Sequence, residues 1–244
     1  MKNRNQSHGF VLFAVSVLLF SMFACNSDES EGITTTFEQY YSIDPQSLLE
    51  SLEKESFTPV DTVPEIPLPD QQIPVNWNQA DYLRIVDAVF KNAWDESVEG
   101  WSLKSMSFAL NCTKIDYGFQ NAHFRYFKNS RVQEREVRFE RSIHIDPRSK
   151  SIYVLEFEYF PRLTDWDSVD LAQVRYSADD ALRITEENAG QEQRLTVENE
   201  CDISLLLSPD SPRYRGWDVR YTNRNDGTIL LIQIDPLAGE IHIP

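Results

Sequence analysis

Three short stretches of this chain recur in the same order further along, and nothing else in the sequence limits the possible folds as strongly. Asp81-Tyr82-Leu83-Arg84-Ile85 is echoed by Asp180-Ala181-Leu182-Arg183-Ile184, and Phe124-Arg125-Tyr126 by Val219-Arg220-Tyr221. Ile143-His144-Ile145-Asp146-Pro147 is echoed by Ile232-Gln233-Ile234-Asp235-Pro236. The offsets are 99, 95 and 89 residues, falling in one direction, as expected when the first copy carries longer loops. Self-similarity of this kind points to one supersecondary unit used twice.

Each unit opens with a helical pattern. Tyr82, Leu83, Val86, Val89, Phe90 and Trp94 recur at steps of three and four, which places them on one face. In the second unit Ser177 is a natural N-cap, Ala181, Leu182 and Ile184 follow, and Asn188-Ala189-Gly190 reads as the stop. Period-two alternation comes next, in Met106-Phe108-Leu110, in Tyr153-Leu155-Phe157-Tyr159 and in Trp217-Val219-Tyr221. Alternation with one polar face predicts antiparallel sheet covered on one side. Asn225-Asp226-Gly227 and Leu237-Ala238-Gly239 read as hairpin turns.

A helix, an antiparallel sheet and a closing I-x-I-D-P-x-x-G-E-I segment resemble the PepSY domain. Ala181 to Ile184, Trp217 to Val219 and Ile232 to Ile241 carry the resemblance over residues 177–244. A degenerate copy covers about residues 78–160, with Arg148-Ser149-Lys150-Ser151 where the turn glycine would stand. The resemblance implies an α+β module of bacterial envelope proteins and peptidase propeptides, which binds or inhibits rather than catalyses.

The N-terminus addresses location. Residues 10–25 form an apolar run ending Met22-Phe23-Ala24-Cys25, behind Lys2 and Arg4 and ahead of the acidic 27–31 cluster. That layout is a secretory signal, and its ending resembles the bacterial lipobox, whose cysteine is acylated after cleavage. The run is short for a membrane span of roughly 20 residues. Lipid on Cys25 would hold the chain on a membrane without a spanning helix. Asn26 is not the aspartate associated with inner-membrane retention, and Ser27-Asp28-Glu29-Ser30-Glu31 resembles the acidic export signal of surface lipoproteins, which points to the outer membrane and its outer face; an ordinary acidic spacer reads the same way. Residues 25–76 read as an acidic, proline-rich tether with a short helix after Asp44-Pro45, and 57–74 carry prolines too densely for helix or central strand.

Charge and composition exclude several classes. The chain holds 23 Lys and Arg against 39 Asp and Glu, a formal charge of −16. Such a surface repels phosphate backbones, so nucleic acid is not an expected partner. No H-E-x-x-H, G-x-S-x-G, C-x-x-C or phosphate-cradling glycine loop occurs, so no metal, cofactor or catalytic residue is assigned. After Cys25, the remaining thiols are Cys112 and Cys201, which either pair in an oxidising envelope or stay buried and free. His123 and His144 alternate with apolar neighbours on strand-like segments; a Cys112–His123 nucleophile pair is the remote catalytic option. Glu156 and Glu158 share one strand face in the manner of paired acids, but a solvated face is the better reading, and the same holds for Asp165, Asp167 and Asp170 around Trp166. Trp94 and Trp217 fall on apolar stripes, which leaves Trp101 and Trp166 as candidate ligand contacts.

The expected organisation is a signal at 1–24, a tether at 25–76, a first α+β module at 77–162, a linker at 163–176 and a second module at 177–244. Each module is a helix packed on three to four antiparallel strands. The expected role is non-catalytic binding of an envelope protein or peptide. Carbohydrate capture and a carboxylate-based hydrolase are the alternatives.

Overall fold

The computed structural model describes residues 32–63, 66, 71–160, 166–209 and 216–244. Cys25 and the signal lie outside the described residues. In chain order the elements are β1 (Gly32–Ser42), α1 (Leu48–Glu53), β2 (Val60–Asp61), α2 (Gln79–Trp94), β3 (Ser102–Asn111), β4 (Asn121–Val132), β5 (Arg135–Asp146) and β6 (Ser151–Phe160). Then come α3 (Ala178–Thr185), a π-helical turn (Glu186–Gly190), α4 (Gln191–Thr196), β7 (Cys201–Leu207), β8 (Trp217–Asn223), β9 (Ile229–Ile234) and β10 (Ile241–His242).

Both long helices start on the same device. Asn78 accepts from the Asp81 backbone N–H while the Asp81 carboxylate accepts from Asn78, and Ser177 and Asp180 repeat the arrangement. Each such box satisfies donors that a helix start leaves orphaned. The two starts also bond each other: Gln79 Oε1 accepts from the Ala178 N–H at 2.7 Å, and Asp179 Oδ2 accepts from the Gln79 N–H at 2.9 Å.

The strands form one ten-stranded sheet ordered β10-β9-β8-β7-β3-β4-β5-β6-β1-β2. β3 and β7 meet antiparallel at its middle, pairing Met106 with Leu207 through to Asn111 with Asp202. The first strands of the two helix-then-strands runs are therefore neighbours, and a single buried cluster spans both. On one side of the sheet Tyr82 meets Phe108 edge-on at 5.6 Å, Phe90 meets Tyr126 at 5.2 Å, and Tyr221 Oη donates to Glu186 at 2.6 Å. Phe108, Phe124, Ile143, Val154, Leu205, Val219 and Ile232 lie on that side and are at most 1% exposed. Burying each such side chain is worth about 1.5–3 kcal/mol.

Several expectations change here. The strands expected in two separate modules share one sheet. Residues 32–61, expected in the tether, supply its edge strands β1 and β2, and the Ile73 N–H and C=O both bond the buried Gln120 side chain at 2.8 Å. Gly190 does not stop the helix. The chain continues through the π turn into α4, and a Cβ at Gly190 would lie 2.3 Å from Tyr221 Oη, so the glycine serves close approach rather than a stop. Within the expected linker, Leu171–Gln173 forms a 3₁₀ turn and the Val169 N–H bonds the Leu103 carbonyl of β3 at 2.7 Å.

Candidate functional site

Alternation that buries one side of the sheet leaves the opposite side half-exposed, away from the helix contacts described above. Ser107, His123, His144 and Tyr153 stand side by side across β3, β4, β5 and β6, each only partly covered. Leu155, Phe157 and Tyr159 continue this surface along β6, and Leu206 and Arg220 extend it onto β7 and β8.

At its centre the two imidazole rings lie edge-to-face with centroids 6.0 Å apart. His123 Nε2 is 2.7 Å from Ser142 Oγ, and the Asn121 amide donates to His144 Nε2, leaving the His144 proton on Nδ1. Burial holds the His123 pKa down at about 4, helped by His144 and by the Arg125 guanidinium. Burial also lowers that of His144, against the pull of Asp146. Both rings are therefore neutral at neutral pH. At the row's end Tyr153 stacks on Tyr40 at 4.1 Å and donates to Glu38 at 2.6 Å; its hydroxyl pKa is raised, mainly by desolvation and then by Glu38.

Trp166 covers one end of this face. Lys104 Nζ sits 3.2 Å and the Arg138 guanidinium 4.1 Å from its ring centroid, and Phe127 and Tyr159 meet it edge-on. Close by, the buried Glu140 accepts from Arg125 Nε and Tyr159 Oη. Trp101 belongs to the other face. There Arg141, three residues from Arg138 on β5 and hence of opposite side, lies 4.0 Å from Trp101 and 4.3 Å from Trp94. Arg141 Nε donates to Glu156 at 2.7 Å, its terminal nitrogens reach Glu96 at 3.2 Å, and Trp101 Nε1 donates to Glu96 at 2.9 Å. The two tryptophans named as candidate ligand contacts are thus on opposite faces, each stacked on the protein's own cations rather than forming one platform.

Cys112 and Cys201 are joined as a disulfide with Cα atoms 5.3 Å apart, at the end of the β3–β7 pair. Cys112 is therefore not a free thiol beside His123. Beside that end, Gln72, Asn111, Gln120, Asn121, Arg148 and Arg224 line a recess of about 270 Å³. Of the carboxylates considered as paired acids, Glu156 is engaged by Arg141 and Thr36, and Asp170 caps Ala172. Asp165 lies outside the described residues. Among the described residues no group of three or more His, Cys, Asp or Glu could hold a metal ion, and no helix is long and apolar enough to cross a membrane.

The row of Ser107, His123, His144 and Tyr153 was not visible as a site in the sequence. Alternation placed both histidines on sheet faces, but only the β4–β5 register brings them together and sets Ser142 beside His123.

No family model matches the chain, and no curated protein matches it. Among solved structures, one described as a "putative lipoprotein" from Clostridium difficile 630 is similar at 14% identity and a TM-score of 0.40, over 73% of this chain and 97% of that one.

Proposed function

We propose that this chain is a non-catalytic binding protein of the bacterial envelope, lipid-anchored through Cys25, that takes a protein or peptide on the uncovered face of its sheet. The observation that carries the reading is the contrast between the two faces. One is sealed by helices, while the other offers half-buried Tyr153, Leu155, Phe157 and Leu206 around neutral histidines. Surfaces that mix aromatic anchors with satisfied polar groups are suited to protein recognition. Stacking of Trp101 and Trp166 on arginine and lysine gives the carbohydrate alternative less support, and engagement of Glu156 by Arg141 does the same for the hydrolase.

The finer parts of the reading have their own support. Two PepSY-like copies account for the repeated capping boxes and for two Asp-Pro turns in which Asp146 and Asp235 each accept from the backbone two and three residues on. An oxidising compartment such as the envelope suits the Cys112–Cys201 bridge. The lipobox-like ending and acidic spacer favour an outer-membrane anchor.

The test is affinity capture with the full chain as bait, compared across variants. Leu155→Glu with Leu206→Glu should abolish capture of any specific partner, whereas Lys91→Glu on the exposed side of α2 should leave it intact. Capture indifferent to the first pair and lost with the second would refute the assignment of this face.

A further inference from the structure

The two edges of the sheet are built differently. At one, β10 is two residues long and is followed within two residues by Pro244, both of which blunt an edge against strand addition. At the other, β1 runs for eleven residues, but β2 covers only Tyr41 and Ser42, and the Thr62 N–H donates to the Tyr40 carbonyl. Among the described residues nothing pairs with the outer edge of β1 from Ile33 to Glu38. That span, Ile-Thr-Thr-Thr-Phe-Glu, has no lysine, proline or glycine and a single charge, on a chain of formal charge −16. Ile33 is 65% exposed there.

We infer that this edge pairs with β1 of a second copy, antiparallel about a two-fold axis through Thr35. Three features single out that occupant. First, the Tyr40 carbonyl points outward to Thr62, so by alternation the backbone groups of Glu38, Thr36 and Thr34 point outward as well. An axis through Thr35 sets Thr34 against Thr36 of the second copy, and both then present their N–H and C=O to each other. Second, the same register sets Ile33 against Phe37 of the second copy, an aliphatic–aromatic cross-strand pair of the favourable kind, and covers the exposed Ile33. Third, charge selects the place. Two copies this acidic repel over most of their surfaces, and this register joins neutral threonines while keeping Glu38 from facing its own mate. The pairing extends the sheet through the axis, is isologous as a two-fold dimer requires, and does not depend on what the open face binds.

Cysteine scanning of the full chain tests the register. Thr35 would face its mate as a non-hydrogen-bonded pair, with Cα atoms about 4.5 Å apart, within disulfide reach. Thr35→Cys should give several-fold more covalent dimer under mild oxidation than the unsubstituted chain or Thr228→Cys, which sits on an exposed turn far along the sheet order. Adding Thr34→Pro should remove that excess. The proline deletes an outward N–H and leaves the ladder to β6 intact, and circular dichroism checks that the fold survives. No excess with Thr35→Cys, or an excess that Thr34→Pro leaves unchanged, would overturn the pairing.

Discussion

The same two sheet positions carry His123 and His144 in the first half and Asp218 and Gln233 in the second. In both halves the pair stands directly opposite across neighbouring strands, on the face away from the helix contacts. Gln233 donates to Asp218 at 2.7 Å, so the second pair satisfies itself. The histidines instead turn to Ser142 and Asn121 and sit edge-on to each other. One backbone frame therefore hosts two chemistries: two imidazoles that burial keeps from taking a second proton in the first half, and an amide bonded to a carboxylate in the second. The helices differ for a related reason. Tyr126 and Tyr221 occupy echoed positions, but Tyr126 packs against Phe90 while Tyr221 bonds Glu186, which Arg194 grips through two nitrogens. Bringing Tyr221 Oη to Glu186 leaves no room for a Cβ at residue 190, and there the second helix takes its π turn.

The largest expected effect concerns what joins the halves. Cys112 and Cys201 close a separation of 89 residues, and a bridge of that span contributes about 4 kcal/mol in the chain-entropy picture. Cys112→Ser with Cys201→Ser should lower the urea midpoint accordingly while unfolding stays a single transition, because one sheet and one core span both halves. Two resolved transitions would show that the halves are independent.

Next comes pH. His123 is held near pKa 4 in the folded chain, below the unfolded value near 6.5, so its contribution is complete above pH 6.5 and is lost as pH falls toward 4. About 2–3 kcal/mol should disappear across that window. His123→Gln should flatten this slope in denaturant titrations, and a slope unchanged by the substitution would place the titrating group elsewhere.

Gly190→Ala should cost about 1–3 kcal/mol through overpacking against the buried Tyr221. Lowered thermal stability that Tyr221→Phe partly restores is the expected signature.

The smallest effect sharpens the comparison of the two Asp-Pro turns. Lys150 sits at φ +49° where the second turn has Gly239 at φ +72°. Lys150→Gly should stabilise by about 0.5–1 kcal/mol by relieving left-handed backbone strain. The reverse change, Gly239→Lys, should destabilise by more, since its Cβ would lie 2.6 Å from the Tyr176 ring.

Local signals in the sequence were enough for the local structure. Alternation gave β3, β6 and β8; the apolar stripe gave α2 and Ser177 the start of α3; Asp-Pro followed by glycine gave the last turn. What was hidden was long-range. Residues 32–42 carry no strong alternation and precede prolines, so their place beside β6 depends on contacts such as Tyr153 with Tyr40 and Glu38, more than a hundred residues apart. The fusion of two quartets into one sheet likewise follows from β3 choosing β7 as its second neighbour, a pairing that no local pattern encodes. The surroundings of Trp101 and Trp166 were hidden for the same reason: Arg138, Lys104 and Arg141 arrive from other strands to stack on them.

The central claim is that the uncovered face does the binding, and site-specific photocrosslinking in cells tests it most directly. A photoreactive residue at Ser107, in the middle of that face, should yield a discrete adduct with one envelope protein or peptide, and the same residue at Lys91 on α2 should not. Adducts at Lys91 with none at Ser107 would contradict the account and move the binding surface to the helical side.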